Sequence, residues 1–177
     1  MRHISLHVSV RDVIFGENVT IIEPVNIYGC KIGGNSFVGP FTEIQKEVVI
    51  GEKCKIQSHA FICELVTIGN NCFIGHGVIF INDVFSADGP AMGDRDLLKS
   101  TTIGHNVSIG SNATILPVKI CDNAVIGAGS VVTKDITKPG IYAGNPARFL
   151  RSIHTTGNEA NVGFREDINA FENGINN

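Results

Sequence analysis

Large apolar residues recur at every sixth position through the middle of the chain. Nine consecutive steps fall on such residues, which are Ile32, Val38, Ile44, Ile50, Ile56, Ile62, Ile68, Ile74 and Phe80. Only about a quarter of the residues in an average chain are of this type, so chance does not explain the run. The step predicts a six-residue unit made of one short strand and one corner, with inward residues alternating along the strand.

The residues after these apolar positions predict the corners. The next residue is often glycine, as at Gly33 and Gly51, and the third residue on is often Asn or Gly, as at Asn35, Asn71 and Gly77. Both types tolerate the left-handed backbone that a tight corner needs. The six-residue pattern therefore contains its own turn signals.

The same step continues on both sides of the central run. The further positions are Phe15, Ile21 and Ile27 before it, and Ile103, Ile109, Ile115, Ile120, Ile126 and Val132 after it. The step shortens by one residue before Ile32 and before Ile120. Three units close a triangular coil of eighteen residues, and stacked coils lie about 4.8 Å apart. Eighteen units thus predict an all-β parallel β-helix of about six coils, roughly 29 Å tall by that spacing. A β-sandwich is disfavoured because its strands recur every 8–12 residues.

The repeat breaks after Phe80, where residues 84–100 form a predicted loop insertion. A long insertion in a regular scaffold is usually functional or disordered. Asn82 and Asp83 stand at its root, and Glu64 lies eighteen residues before Asn82, so we expect these three on one edge. The alternative is that the Asn-Asp pair simply turns the chain.

Another edge should carry two histidines. His76 lies eighteen residues after Ser58, so His59 and His76 are expected to approach each other. Exposed histidines are often plain surface residues, and a chemical role for either one stays open at this point.

Composition excludes several classes of protein. The chain has 177 residues, 43% of them hydrophobic, and a net charge of −3 with scattered basic residues, which argues against a nucleic-acid-binding stripe. No run reaches the roughly 18 apolar residues of a membrane span. Residues 1–15 lack the apolar stretch of a signal peptide, so we expect a cytoplasmic protein. Five cysteines without framework spacing indicate reduced thiols, and no Cys/His cluster suggests a metal site.

The predicted domain spans residues 1–151. The tail, residues 152–177, is rich in Asn and Gly, and the sequence predicts a short helix over residues 164–171 there. The turn signals at Pro139-Gly140 and Asn145-Pro146 are expected to end the β-helix.

Two segments near the end resemble the C-terminal signature of the left-handed β-helix acetyltransferases: IGAGSVVTKDI, residues 126–136, and AGNPARFL, residues 143–150. The resemblance implies left-handed coils, a homotrimer, and acetyl-CoA bound between the coils of adjacent subunits. It also implies coenzyme A contacts, carried onto Gly110, Ala128, Ser130, Lys134, Asn145, Pro146, Arg148 and Arg151. Among these, the basic side chains would contact phosphates, and Ala128 and Ser130 would offer backbone groups to the pantetheine arm.

KIQSHAFI, residues 55–62, and FIND, residues 80–83, followed by the long loop, resemble a subgroup of this family. Its members are N-acetyltransferases of nucleotide-linked amino sugars, particularly 3-amino sugars on dTDP or UDP, used in surface polysaccharide biosynthesis. The resemblance points to Asn82 and Asp83 near the sugar amine, with Glu64 as a sugar contact. The chain departs from these relatives at Ser58-His59 and at His76, which leaves room for a histidine base.

Two alternatives remain beside the N-acetyltransferase. An O-acetyltransferase needs a true base for its hydroxyl nucleophile, and His59 or His76 would supply it. A non-catalytic β-helix binding subunit would bind no acetyl-CoA. A β-helix carbonic anhydrase is disfavoured because the repeat lacks closely spaced histidines for a zinc site.

Overall fold

The computed structural model describes residues 9–153, and in them the expected left-handed parallel β-helix is confirmed. The strands are β1 (Val10–Arg11), β2 (Ile14–Phe15), β3 (Thr20–Ile21), β4 (Asn26–Tyr28), β5 (Lys31–Ile32), β6 (Phe37–Val38), β7 (Glu43–Ile44), β8 (Val49–Ile50), β9 (Lys55–Ile56), β10 (Phe61–Ile62), β11 (Val66–Ile68), β12 (Phe73–Ile74), β13 (Ile79–Phe80), β14 (Thr101–Ile103), β15 (Ser108–Ile109), β16 (Thr114–Ile115), β17 (Lys119–Ile120), β18 (Ala124–Ile126), β19 (Val131–Val132), β20 (Gly140–Ala143) and β21 (Arg148–Arg151). A 3-10 helix, Arg95–Leu97, lies in the loop insertion.

The strands form three sheets, one for each face of the prism. Face A has the order β1-β4-β7-β10-β13-β16-β19, face B has β17-β14-β11-β8-β5-β2, and face C has β21-β20-β18-β15-β12-β9-β6-β3. Every third strand therefore shares a face, as three units per coil require. Face A holds seven stacked strands, one more coil than expected, because β1 begins a coil before the first apolar position of the pattern.

The register of the ladders follows the sequence step. Ile56 pairs with Ile74 at an offset of 18 residues. Across the insertion Ile74 pairs with Ile109, an offset of 35, so 35 − 18 = 17 residues are looped out. That number matches the predicted loop, residues 84–100. Ile109 then pairs with Ile126 at an offset of 17, which is the one-residue slip read from the sequence.

The core is one continuous cluster along the axis, to which each of the three faces contributes a column of mostly aliphatic residues. The nine apolar positions of the central run are each at most 2% exposed. Each coil buries its apolar residues against the coils above and below, so no helix is needed to cover the sheets. The described residues include no helix long and apolar enough to cross a membrane.

The corners adopt the left-handed backbone that the Asn and Gly positions predicted. Asn35, Asn71, Gly77, Asn112 and Gly129 all have φ between 56° and 67°. The sequence reasoning missed the corners that use other residue types. Five successive corners from 41 to 65 place a side chain other than Asn or Gly at positive φ, and they are Phe41, Glu47, Lys53, His59 and Leu65.

The upper end differs slightly from expectation. The parallel ladder does not stop at Pro139-Gly140, because β20 begins at Gly140 and pairs with β18 on face C. The chain then turns through Asn145-Pro146 into β21, which runs antiparallel to β20. The suggested helix at residues 164–171 lies outside the described residues, and the domain boundary at residue 151 stays a prediction.

The five cysteines are free, as expected of reduced thiols. Cys54 and Cys72 stack at inward positions and donate to the carbonyls of Gly69 and Gly104. Burial raises the pKa of Cys63 to about 12, so this thiol stays protonated at neutral pH. Four of the five cysteines are buried and fill the core, whereas Cys121 is partly exposed.

Candidate active site

Three edges join the three faces, and they differ in what they offer to a ligand. The histidine edge joins face C to face A and consists of residues 39–42, 57–60, 75–78, 110–113 and 127–130. The loop edge joins face A to face B and consists of residues 45–48, 63–65, 81–100 and 116–118. The closed edge joins face B to face C and consists of residues 51–54, 69–72, 104–107 and 121–123.

A serine-histidine pair lies at the middle of the histidine edge. Ser58 Oγ and His76 Nδ1 are 2.7 Å apart. His76 lies one coil above Ser58, as their separation of eighteen residues predicted. A hydrogen bond at Nδ1 fixes the imidazole ring and leaves Nε2 for another partner. When the Nδ1 proton is donated to Ser58, Nε2 can accept a proton from a substrate. The pair therefore has the geometry of an oriented base.

The second histidine of this edge does not contact the first. His59 instead stacks on Phe41 of the coil below, with ring centroids 4.9 Å apart and an interplanar angle of 15°. His59 and His76 lie on one edge, as the sequence predicted, but the stacking of His59 on Phe41 was not predicted.

Backbone amides are open along the histidine edge. Within residues 9–153, four successive corner N–H groups have no protein acceptor, and they belong to Ser58, His76, Ser111 and Ala128. One coil below them stands Pro40, which has no N–H. Backbone donors usually have partners, so a column of open donors is suited to an extended ligand with carbonyl groups. A donor near His76 could also stabilise an oxyanion.

At the loop edge the predicted stacking of Asn82 over Glu64 is present. Asn82 Nδ2 donates to the carbonyl oxygen of Glu64 at 3.4 Å. The Asp83 carboxylate accepts from the amides of Phe85 at 3.0 Å and Ala91 at 2.7 Å. Asp83 thus shapes the loop with both oxygens, which is the role that the turn alternative assigned to it.

An ion-pair cluster that sequence reasoning missed ties the loop to the loop edge. Arg95 Nη2 lies 2.7 and 2.8 Å from the two carboxylate oxygens of Glu47 and 3.4 Å from Glu64 Oε2. Lys46 Nζ lies 3.4 Å from the other oxygen of Glu64. Glu64 Oε2 is buried and, within the described residues, forms no hydrogen bond of good geometry. Arg95 sits in the insertion, outside the repeat, so no column position could reveal this contact.

The two predicted clusters lie on different edges of face A. One strand and its corners separate them, about six residues or at most roughly 20 Å of chain. A single transfer centre on one copy of the chain would have to span the width of face A to use both the Ser58-His76 pair and Asp83. The roles assigned to Asn82, Asp83, Glu64 and the histidines stay predictions.

The residues carried over as coenzyme A contacts divide into four groups, of which the basic residues are the last. Gly110 and Ala128 lie on the histidine edge above His76. Ser130 is fully buried, and its Oγ accepts from the amide of Gly144 at 3.1 Å, so it holds the upper hairpin and its side chain does not face a ligand. Asn145 and Pro146 form the exposed turn of that hairpin.

The three basic residues of this set lie at the top of the prism. Lys134 and Arg148 line an open cavity of about 320 Å³ together with Tyr142 and Phe149. Arg151 is exposed on β21. Two cations beside aromatic rings suit a phosphate and a planar base.

Strained corners with bulky residues occur on all three edges, since Lys53 on the closed edge also has a φ of 55°. Phe41 and His59 lie on the histidine edge, whereas Glu47 and Leu65 lie on the loop edge, and all four have φ between 60° and 69°. Bulky residues are uncommon in this conformation, and such strain concentrates at functional sites. No group of three or more metal-ligating side chains occurs in the described part of the chain.

The sequence matches two families of hexapeptide-repeat proteins. Residues 29–64 match the family described as bacterial transferase hexapeptide (six repeats), and residues 65–81 and 100–134 match hexapeptide repeat of succinyl-transferase. The bifunctional protein GlmU of Paramagnetospirillum magneticum is 34% identical over 155 residues, which cover 74% of this chain and 32% of that protein. The chain thus spans about a third of the length of this curated relative.

Solved structures show the same architecture. A hexapeptide-repeat containing acetyltransferase from Vibrio cholerae, complexed with acetyl coenzyme A, is 28% identical with a TM-score of 0.61, and the match covers 72% of each chain. A mutant of AntD, an N-acyltransferase from Bacillus cereus in complex with dTDP and coenzyme A, gives a TM-score of 0.70 over 81% of this chain and 85% of that one. At 24% identity, this second likeness is one of fold.

Proposed function

Because this chain belongs to the hexapeptide-repeat acyltransferases, we propose that it transfers an acetyl group from acetyl-CoA to the amine of a nucleotide-linked amino sugar. The observation that carries this proposal is the histidine edge, where the Ser58-His76 pair lies beside a column of open backbone amides. The class of acceptor rests on the segments at residues 55–62 and 80–83 and on the long loop that follows them.

The upper half of the histidine edge is suited to acetyl-CoA. The open amides of Ser111 and Ala128 can donate to the amide carbonyls of the pantetheine arm, which runs along the edge toward His76. Lys134 and Arg148 at the top of the prism would then receive the phosphates. The acetyl-CoA complex of the Vibrio cholerae relative supports this choice of acyl donor.

The reaction forms one carbon–nitrogen bond and breaks one carbon–sulfur bond. The amine nitrogen attacks the thioester carbonyl, an open amide of the edge stabilises the oxyanion, and the thiolate leaves. His76 Nε2 accepts the proton released by the nitrogen, and that proton then passes to the thiolate to give free coenzyme A. A sugar amine titrates near about 8, like an α-amino group, so a useful fraction is already neutral at pH 7.

Geometry favours His76 over Asp83 as the proton acceptor. Both oxygens of Asp83 already accept backbone amides, whereas the exposed His76 has one nitrogen bound to Ser58 and the other available. Asn82 and Glu64 remain proposed sugar contacts on the loop edge.

A homotrimer resolves the separation of the two edges. If the loop edge of one copy lies against the histidine edge of the next, Asn82 and Glu64 of one subunit face His76 of its neighbour. Three equivalent sites would then form, each incomplete in a single copy. Cross-linking or light scattering that shows only monomers in an active preparation would contradict this assembly.

An O-acetyltransferase is the second candidate, because an oriented histidine is what a hydroxyl nucleophile needs. Thiol release from acetyl-CoA, measured with dTDP- and UDP-linked amino sugars and with the matched hydroxy sugars, separates the two. We expect turnover with an amino sugar only. Turnover with the hydroxy sugars alone would favour O-acetylation, and no binding of millimolar acetyl-CoA would overturn both.

Activity that survives both Asn82→Ala and Asp83→Ala would remove the loop edge from the proposed site. We expect Asn82→Ala to raise the KM of the sugar, and Asp83→Ala to disturb the loop that Asn82 anchors.

A further inference from the structure

The histidine edge carries a flat aromatic surface that the proposed transfer reaction does not use. The centroid separation of Phe41 and His59, 4.9 Å, is close to the coil spacing of about 4.8 Å, so the two rings face each other along the prism axis. Phe41 is 58% exposed. The upper face of His59 therefore points toward the next coil.

That next coil has no side chain at the matching corner. The residue eighteen positions above His59 is Gly77, whose φ of 65° is the conformation of every corner in this column. One coil higher, Asn112 leans down, and a Cβ built on Gly77 would lie too close to Asn112 Oδ1. A slot is left with an aromatic floor, a glycine at its back and an amide as its roof.

The height of this slot suits one ring. Two coil spacings, about 10 Å, separate the backbone at His59 from that at Asn112. A ring in van der Waals contact with His59 lies about 4 Å above it. Asn112 Oδ1 descends close to the level of Gly77, so about 3 Å is left above the ring, which suits a hydrogen bond donated by a hydroxyl group to Asn112 Oδ1. The floor is apolar and the roof is polar.

We propose that Phe41 and His59 form a platform on which the pyranose ring of the acceptor rests, with its hydroxyl groups directed to Asn112. The inference rests on the proposed function and names a subsite of it. The slot begins beside His76, so the ring on the platform is the one whose amine reaches the His76 base. A pyranose has an apolar face of C–H groups and a polar rim, which matches this floor and roof.

The position of the slot beside His76 also indicates which part of the substrate occupies it, the sugar or the nucleotide base. A base in the slot would occupy the space beside His76, where the amine and the thioester must meet. The base therefore lies farther from His76 than the sugar does. His59 is accordingly a binding residue and His76 is the base, whereas from the sequence alone both were candidate bases.

Saturation-transfer NMR on the full chain with the best nucleotide-linked amino sugar tests the platform without requiring turnover. We expect the pyranose protons to receive more saturation than the base protons. His59→Ala should abolish that preference and raise the KM of the sugar about fivefold to tenfold, leaving the KM of acetyl-CoA unchanged. His59→Phe should restore both, because it keeps a ring without the imidazole nitrogens.

Lys53→Ala is the matched control, because Lys53 has a φ of 55° at a corner of the closed edge, and we expect it to change neither quantity. Stronger saturation of the base protons, with dTDP or UDP alone binding equally well, would overturn the platform in favour of a base site. A loss of kcat in both His59→Ala and His59→Phe would also overturn it, since that result would give the imidazole a chemical role.

The two proposals fail differently. A wild-type chain that saturates the pyranose but acetylates no amino sugar in the panel contradicts the proposed function and leaves the platform standing. A His59→Ala variant with unchanged sugar KM in an active enzyme contradicts the platform and leaves the function standing.

Discussion

The histidine edge and the closed edge are built from the same six-residue unit, yet they treat their backbone amides in opposite ways. On the closed edge three successive corner amides each donate to a side chain of the coil above. Glu52 donates to Asn70 Oδ1 at 2.9 Å, Asn70 to His105 Nδ1 at 2.9 Å, and His105 to Asp122 Oδ1 at 2.8 Å. This ladder satisfies its own donors.

On the histidine edge the matching positions leave their amides open. Ser58 and His76 bond to each other through their side chains, and Ser111 and Ala128 make no such contact with the coil below. A closed ladder stabilises the fold and offers nothing to a ligand, whereas an open one gives up hydrogen bonds that a ligand can supply. The contrast also explains why a histidine alone is a weak signal, since His105 serves structure and His76 is available for chemistry.

Replacing the available histidine should have the largest effect. His76→Ala removes the proposed proton acceptor, and we expect kcat to fall about 100-fold or more. His105→Ala is the matched control on the closed edge. It should keep kcat within about twofold while lowering the free energy of unfolding by about 1 kcal/mol, because the Asn70 amide loses its acceptor. Steady-state thiol release and thermal unfolding measure the two effects.

Equal losses of kcat in His76→Ala and His105→Ala would break the comparison, because the two edges would then be functionally alike. A kcat in His76→Ala that matches wild type across pH 6–9 would mean that the amine attacks without a histidine base.

The fold could be predicted from the sequence because every coil repeats the same six-residue pattern of apolar and corner positions. The step of six predicted the apolar positions from Ile32 to Phe80. The two slips and the 17-residue insertion each reappear as an offset in the strand register. Asn and Gly marked the corners that use those residues. Corners such as Phe41 and Leu65 carry no such mark, because tertiary stacking imposes their backbone conformation.

The site was predictable only where it follows the columns. Counting by eighteen placed Ser58 beneath His76 and Glu64 beneath Asn82. It could not show that the carboxylate of Asp83 is used within the loop, or that Arg95 reaches Glu47, because the insertion has no register. Nor could it distinguish open amides from closed ones, since that depends on the rotamers of side chains one coil away.

Ser58 sharpens the comparison further. Ser58→Ala leaves His76 in place but removes the partner of Nδ1, so the ring loses its fixed orientation. One hydrogen bond contributes about 1 kcal/mol, so we expect kcat to fall roughly fivefold to tenfold with little change in either KM. Ser58→Thr keeps the hydroxyl group and should recover most of the loss. The kcat-pH profile of the Ala variant should also shift, which a change in packing alone would not produce.

Arg95 should have a smaller effect, which acts through the loop. Arg95→Ala removes the ion pairs to Glu47 and Glu64 that hold the insertion on the loop edge. Exposed pairs are weak, so we expect the sugar KM to rise about threefold to fivefold at unchanged kcat. Added salt should raise the wild-type KM and leave the variant's nearly constant. Faster proteolysis within residues 84–100 would confirm that the loop has been released, and an unchanged cleavage rate would contradict it.

The smallest expected effect on turnover is at the top of the closed ladder. Asp122→Ala deprives the His105 amide of its acceptor, but both residues are exposed and water can replace the carboxylate. We expect a loss of about 0.5–1.5 kcal/mol in the free energy of unfolding, seen as a drop of roughly 2–4 °C in Tm, with kcat and both KM values unchanged. Asp122→Asn keeps an acceptor oxygen and should restore the Tm. A tenfold loss of activity in Asp122→Ala with an intact Tm would place a ligand on the closed edge. The freed His105 amide would then compete with the amides of the histidine edge for a group of the substrate.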